Sequence, residues 1–497
     1  MNNSYIILKR LFKEHSLLND INGILSWDMA TFMPKNSRFQ RKNQINVINQ
    51  YKKNLFELIK KNDLLNKVEY EKLSTEDKNN FDLMKKKCDY FNYIPFETIQ
   101  KKSLLSIECE GAWRDALIKS NFNIVKKKLS DLVCVIKHES EILSQYKSIS
   151  RYDCLLEKYD RSLNTKKLLK IFKDIEEFIH KTLPKIEKKQ NIQNLNIKEK
   201  TLNEKVQFDL SKILMKGLGF NFSKGRIDKS LHPFCGGGTD DVRITTRFNE
   251  LDSFSCFDAL MHETGHALYE QGLPKKWVHQ PLGSSAGMSL HESQSLFIEK
   301  QIIKSLPASK YIQKVLLKIL KNENLFMDSI DIFNSRTVVK KNYIRVDADE
   351  VHYPLHIIHR FNIEMQIIEN NGNIKDLPDL WNQEFKKLFG IEVKNDSDGC
   401  LQDIHWYGGD FGYYPTYSIG AIIAAQLKYQ IKNKLKNFDK LIENGDFRLI
   451  ILWLKENVHS MGNFYTIDEL LKLKTGEKLT TKYFKKHITE RYLNRIN

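Results

Sequence analysis

Two histidines with a glutamate between them form the sequence feature with the clearest chemical potential. His262, Glu263 and His266 lie in the stretch His-Glu-Thr-Gly-His. On a helix, side chains four residues apart share one face, so both imidazoles can bind one cation. Glu263 stands beside them and can accept a proton from water that the cation activates. The spacing therefore predicts a metal-dependent hydrolase with Glu263 as general base.

Zinc is the expected ion, one per chain, because two imidazoles and a carboxylate are common zinc ligands; cobalt or manganese are possible substitutes. A catalytic zinc usually has three protein ligands. A third histidine at position 272 would fit one known pattern, but Gly272 stands there. A glutamate on the following helix is the alternative, and Glu292 offers it within His-Glu-Ser-Gln. Glu270, one turn past His266, is the second choice, and Glu299 is a further competitor.

The elements that must position these residues are predicted to be mostly α-helical. The chain has only 10 prolines and 22 glycines in 497 residues. Apolar residues around the histidine motif recur with helical spacing, and Gly272 and Pro274 mark the end of that helix. Similar stripes occur at 168–179, 312–325, 355–368 and 419–435.

The centre of the chain departs from this helical pattern. Residues 235–238 are predicted as a flexible turn, and residues 242–248 as a short strand because several of them are β-branched. The polar segment 185–200 is predicted as a surface loop or helix end. Without a convincing linker, residues 1–497 are expected to form a single unit.

Bulk composition argues against several function classes. The formal net charge is +17, but it comes mainly from lysines spread along the chain, whereas arginine is the usual choice for base and phosphate contacts. We therefore expect no nucleic-acid partner. Seven dispersed cysteines suit a reducing compartment. With neither a signal-peptide core nor an apolar span, the sequence predicts a cytoplasmic protein without a membrane partner.

Six further blocks occur in order around the histidine motif and together resemble one family. With the two motifs above they resemble the carboxypeptidase Taq family of metallocarboxypeptidases. One departure is visible, since Asp160, Arg161 and Ser162 stand where the family tends to have Glu-Pro-Gly. The blocks are Trp27-Asp28, Tyr152-Asp153-x-Leu155, His232-Pro233-Phe234, Asp241-x-Arg243-x-Thr245, Ile344-Arg345 with Asp349-Glu350, and Gln402-Asp403-x-His405-Trp406.

The resemblance implies a two-lobed, neurolysin-like helical fold with a deep substrate groove and a small β element near the active site. It also implies a homodimer. The implied reaction is hydrolysis of the C-terminal bond of peptides with a free C-terminus, releasing single amino acids with broad specificity. An endopeptidase or dipeptidase of the same zinc class is the alternative.

His405 and Tyr417 are predicted to donate to the oxyanion that forms during peptide hydrolysis. The glycines at 408–412 could bend their loop over the metal, and Tyr413 of the same stretch is expected to contact substrate. Either donor, viewed alone, could instead be a packed core residue or a pocket wall.

An exopeptidase must also bind the terminal carboxylate, and a guanidinium does this well. Arg345 is the first candidate and Arg243 the second, since Arg243 could pair with Asp349 or Glu350 instead. Structural ion pairs are the alternative for both arginines. His232 could narrow the groove and enforce cleavage at the chain end.

Overall fold

The computed structural model describes residues 3–192, 201–230, 233–249, 253–321 and 327–494. Most of these residues lie in helices, which confirms the predicted mostly α fold class. The α-helices are α1 (Asn3–Thr31), α2 (Arg38–Lys61), α3 (Thr75–Tyr93), α4 (Phe96–Ile118), α5 (Lys126–Lys147), α6 (Arg151–Leu156), α7 (Thr165–Ile192), α8 (Glu204–Gly217), α9 (Ser253–Gly272), α10 (Met288–Leu296), α11 (Leu306–Ile319), α12 (Ser329–Ser335), α13 (Tyr353–Ile368), α14 (Leu377–Phe389), α15 (His405–Gly408), α16 (Pro415–Lys434), α17 (Phe438–Glu443), α18 (Arg448–Asn457), α19 (Ile467–Thr475) and α20 (Lys482–Ile488). Two π-helical segments follow α10 and α20, at Phe297–Ile303 and Thr489–Leu493.

The amphipathic stripes fall on α7, α11, α13 and α16, which confirms the helical predictions there. The end of the 312–325 stripe lies partly outside the described residues. The segment predicted as a loop or helix end begins inside α7, which runs to Ile192, and residues 193–200 are likewise outside them.

One small sheet interrupts the helices in the centre of the chain. Its strands are β1 (Gly225–Lys229), β2 (Phe234–Gly238) and β3 (Asp241–Thr246), in the order β1-β3-β2. β3 pairs parallel with β1 and antiparallel with β2. The strand prediction at 242–248 is confirmed, but the turn prediction at 235–238 is wrong. These glycines form β2 because their backbone pairs with β3, and the turn itself lies between positions 238 and 241.

The chain divides into two compact units whose segments alternate along the sequence. The first unit contains residues 1–87, 195–337 and 420–483, and the second contains 88–194, 338–419 and 484–497. In the first unit α9 packs against β2, β3, α8 and α10, so the small sheet lies beside the helix that carries the histidine motif. The single functional unit over 1–497 and the substrate groove stay predictions.

Apolar side chains fix the orientation of α9 in the first unit. Phe257, Leu260, Met261 and Leu268 are buried. Both histidines of the motif are only half-buried, so their rings lie at the border of this core. Among the helices that the structure describes, none combines the length and the apolar character needed to cross a membrane.

Candidate metal centre

Helices α9 and α10 bring three potential ligands together in the first unit. The ligand atoms of His262, His266 and Glu292 all lie within 4.8 Å of one another. Oε2 of Glu292 is 3.7 Å from Nε2 of His262 and 3.4 Å from Nε2 of His266. Two ligands at zinc-like bond lengths around a tetrahedral ion are separated by about 3.4 Å. The type and clustering of the donors therefore suit a small divalent cation.

Two glycines let the third ligand come this close. A Cβ atom at Gly265 would lie 2.4 Å from the carbonyl oxygen of Gln294 on α10. At Gly420 of α16, a Cβ atom would lie 2.7 Å from Cγ of Glu292. Any side chain at either position would therefore push α10 away, and Glu292 with it.

Glu263 lies next to the first histidine and is buried. Burial raises the pKa of its carboxyl group to about 7, although His262 acts in the opposite direction. A carboxyl group with this pKa can take up and release a proton near neutral pH, as a general base must. The predicted role of Glu263 is therefore compatible with its surroundings.

A carboxylate supports His262 from behind. Oε2 of Glu299 lies 3.0 Å from Nδ1 of His262, which leaves Nε2 directed toward Glu292. Glu299 comes from the first π-helical segment, and Oε1 of the same carboxylate is 2.6 Å from Nζ of Lys300. Burial alone would raise the pKa of Glu299, but Lys300 and Lys304 hold it well below its usual value. Glu299 thus backs a ligand and is outside the three-residue ligand group.

Glu270 is separated from the ligand group by His291. Its Oε1 is 2.8 Å from Nε2 of His291, whose Nδ1 is 2.6 Å from Nδ1 of His266. Of the three glutamates considered as third ligand, the structure therefore places only Glu292 in the group.

The predicted oxyanion donors lie in the second unit. Nε2 of His405 is 2.9 Å from the hydroxyl of Tyr417, and the ring of Tyr413 lies 5.4 Å from that of His405. Burial, followed by the nearby Arg345, lowers the pKa of His405 to about 3. His405 is therefore neutral at physiological pH. Whether these residues contact an oxyanion stays a prediction.

Arg345 is engaged in a buried ion pair in the same unit. Its Nε and Nη2 donate to Oδ1 of Asp403 at 3.0 and 2.8 Å, and Nη1 donates to the Tyr353 hydroxyl at 2.7 Å. Asp403 also accepts from Nε of Arg360 at 2.8 Å. The preference for Arg345 assumed a guanidinium that is free to bind substrate. Asp403 and Tyr353 occupy this guanidinium, so the geometry favours the structural ion pair.

Arg243 is in a more exposed pair. Its Nε and Nη2 donate to Asp241 at 3.0 and 2.8 Å, and its guanidinium lies 6.0 Å from the ring centre of Trp27. The predicted pairing with Asp349 or Glu350 is wrong, because Asp241 lies two residues away on the same face of β3. His232 lies outside the described residues.

Glu350 anchors the end of the chain within the second unit. It accepts hydrogen bonds from His487 and Arg491, both at 2.8 Å. Sequence reasoning missed this role because its partners lie far away along the chain.

Sequence reasoning also missed Glu364 of α13. Its carboxylate accepts hydrogen bonds from Tyr152 at 2.5 Å, from Nε1 of Trp406 at 2.7 Å and from the backbone of Gly412 at 3.0 Å. It thereby fixes both ends of the loop between His405 and Tyr413. Its charge was the only available signal, because Glu364 and Arg360 are the two residues of α13 with a charged side chain other than histidine.

Comparison with known proteins places the chain in a family. The profile of the carboxypeptidase Taq (M32) metallopeptidases matches residues 7–492. Carboxypeptidase 1 of Bacillus subtilis is 33% identical over 97% of both chains, and thermostable carboxypeptidase 1 of Pyrococcus furiosus is 31% identical over 95% of both. The solved structure of Trypanosoma cruzi metallocarboxypeptidase 1 superposes with a TM-score of 0.94, at 30% identity over 99% of this chain and 100% of the other.

The fold is thus that of a metallocarboxypeptidase, and the structure adds a group of three potential metal ligands. The chain belongs to the carboxypeptidase Taq (M32) family of metallopeptidases, which confirms the resemblance found in its motifs.

Proposed function

We propose that this chain is a zinc-dependent carboxypeptidase that removes single amino acids from the C-terminus of peptides, with broad specificity. The observation that carries the proposal is the convergence of His262, His266 and Glu292 beside the buried Glu263. Two imidazoles and one carboxylate are a common ligand set of catalytic zinc, although cobalt or manganese can use the same donors.

A divalent cation held by His262, His266 and Glu292 would polarise the scissile carbonyl and lower the pKa of the attacking water. Glu263 accepts the proton that the attacking water loses. The same carboxyl group then delivers it to the leaving amine, and burial of Glu263 favours the protonated form between the two transfers. Glu299 holds His262 with Nε2 available to the ligand group.

Recognition of the terminal carboxylate is assigned to Arg243 or Arg345. The pair between Arg243 and Asp241 is partly exposed, so exchanging Asp241 for a substrate carboxylate costs little. Breaking the buried pair between Arg345 and Asp403 costs far more. The exposed pair therefore makes Arg243 the more available of the two, with Arg345 kept as the alternative.

The test combines metal analysis of the purified protein with product analysis on two matched peptides. A peptide with a free C-terminus should lose residues one at a time, whereas its C-terminal amide should be cleaved far more slowly. Internal cleavage of the amide would favour the endopeptidase alternative, and cleavage of dipeptides with longer peptides left intact would favour the dipeptidase.

We also propose a cytoplasmic homodimer. The resemblance to the family motivates the dimer, and seven cysteines dispersed along the chain suit a reducing compartment. Sedimentation equilibrium over a range of protein concentrations tests the assembly, and a monomer at every concentration would contradict it.

A further inference from the structure

Two imidazole rings meet nitrogen to nitrogen behind the ligand group. Nδ1 of His266 lies 2.6 Å from Nδ1 of His291, and the ring centroids are 4.6 Å apart. The other nitrogen of His291, Nε2, lies 2.8 Å from Oε1 of Glu270. The three side chains therefore form an uninterrupted line that ends at a carboxylate.

The positions of the protons follow from these contacts when a cation is bound. His266 must present the lone pair of Nε2 to the cation, so its proton is on Nδ1. Nδ1 of His291 must then accept that proton's hydrogen bond. Neutral His291 consequently carries its own proton on Nε2 and donates it to Glu270. Every donor in the line thus meets an acceptor.

We propose that His291 and Glu270 are positioning residues that fix the tautomer and the ring orientation of His266. Metal-binding histidines usually donate directly to a carboxylate or a carbonyl, as His262 does to Glu299. At His266 a second imidazole is inserted between ligand and carboxylate. The inference rests on the metal site of the proposed function.

Packing holds the inserted imidazole in place. The ring of the fully buried Tyr269 lies 5.4 Å from the ring of His291. His291 precedes Glu292 on α10, whereas Glu270 follows His266 by one turn of α9. The same pair of helices therefore supplies all three ligands and the two residues that orient one of them.

The test measures metal affinity by competition with a chelator, using zinc and then cobalt, whose visible spectrum reports the ligand geometry. Glu270→Gln and His291→Leu should each weaken metal binding about 10–100-fold, the usual effect of removing such a partner. His291→Asn should restore part of the loss, because its Oδ1 can accept from His266 where Nδ1 did.

The line of contacts from His266 through His291 to Glu270 is called the relay below. Double variants distinguish the effect of this relay from a general structural effect. Asn at position 291 does not reach Glu270, so adding Glu270→Gln to His291→Asn should weaken binding no further. Adding Glu299→Gln to His291→Asn should weaken metal binding further, by the same factor as Glu299→Gln alone, because Glu299 contacts the other histidine. Gln271→Ala is the matched control at the same end of α9, and it should leave the affinity unchanged.

Unchanged affinity in both Glu270→Gln and His291→Leu would overturn the relay. Equal losses in His291→Asn and His291→Leu would also overturn it, since the acceptor would then be irrelevant. If the proposed metal site itself is wrong, His266→Ala should bind metal with the same affinity as the wild type. This result distinguishes a failure of the metal site from a failure of the relay.

Discussion

Two histidines in the two units have pKa values displaced in opposite directions. His262 of the first unit is surrounded by carboxylates: burial opposes its charge, yet Glu292, Glu299 and Glu263 raise its pKa to about 9. In the second unit, burial and then the positive charge of Arg345 lower the pKa of His405 to about 3. The carboxylates around His262 therefore stabilise positive charge on that ring, whereas the surroundings of His405 disfavour it.

This difference separates two kinds of chemistry. Carboxylates that stabilise a protonated histidine in the metal-free protein also stabilise a cation that replaces the proton. Next to arginines, the imidazole of His405 stays neutral, and in the structure it is a hydrogen-bond partner of Tyr417. The predictions below test this division, in order of decreasing expected effect.

Glu263→Gln should abolish most of the activity, by several orders of magnitude, while metal content stays at the wild-type level. The substitution removes the proton acceptor but none of the three ligands. Peptide hydrolysis and metal analysis on the same samples check this outcome. Activity near wild type would remove Glu263 from the proposed mechanism.

Asp403→Asn should destabilise the protein by about 3–5 kcal/mol, because it leaves Arg345 and Arg360 without their buried counter-ion. Asp241→Asn breaks the exposed pair with Arg243 and should cost about 0–1 kcal/mol. Denaturant unfolding of both variants gives the comparison. Equal costs would mean that burial does not distinguish the two pairs.

Tyr417→Phe and His405→Gln should lower kcat about 10²–10³-fold if the pair stabilises the oxyanion. Metal content should not change in either variant. Tyr414→Phe is the matched control, because the buried Tyr414 hydroxyl has no hydrogen-bond partner among the described residues. A wild-type kcat in Tyr417→Phe and in His405→Gln would assign the pair to packing alone.

Arg243→Ala should erase most of the preference for a free-acid peptide over its amide by slowing the free acid alone. A charge-assisted bond of this kind contributes about 1.5–3 kcal/mol. Arg243→Lys should retain only part of the preference, because it keeps the charge and loses the planar fork. If Arg345→Ala removes the preference instead, the carboxylate is bound in the second unit.

Metal affinity should rise with pH, by about tenfold per unit between pH 6.5 and 8.5, because one proton must leave as the cation binds. The sign follows from His262, whose raised pKa keeps it protonated up to about pH 9 in the metal-free protein. Chelator competition at three pH values measures the slope, and His405→Gln should leave it unchanged. A flat profile would contradict the assigned environment of His262.

The parts of the site that the sequence predicts are those set by local spacing. His262, Glu263 and His266 share a helix, so periodicity alone places their side chains together. Glu292 follows on the next helix in the chain, and its motif was sufficient to select it over Glu270 and Glu299.

Partners chosen by tertiary packing were not predictable in the same way. Asp403 pairs with Arg345 across 58 positions of sequence, and no local pattern distinguishes a guanidinium that binds substrate from one that binds a buried aspartate. The glycines of β2 were also misassigned, because strand formation there depends on pairing with β3 more than on the residues themselves.

Contact between Gly420 and Glu292 has a consequence for the order of assembly. During synthesis, α10 with Glu292 emerges from the ribosome long before α16 does. Until α16 docks, nothing from position 420 limits how α10 can shift, so the third ligand reaches its final place late in synthesis. A nascent chain arrested before α16 should therefore hold metal far more weakly than the finished protein, even though all three ligands have already emerged.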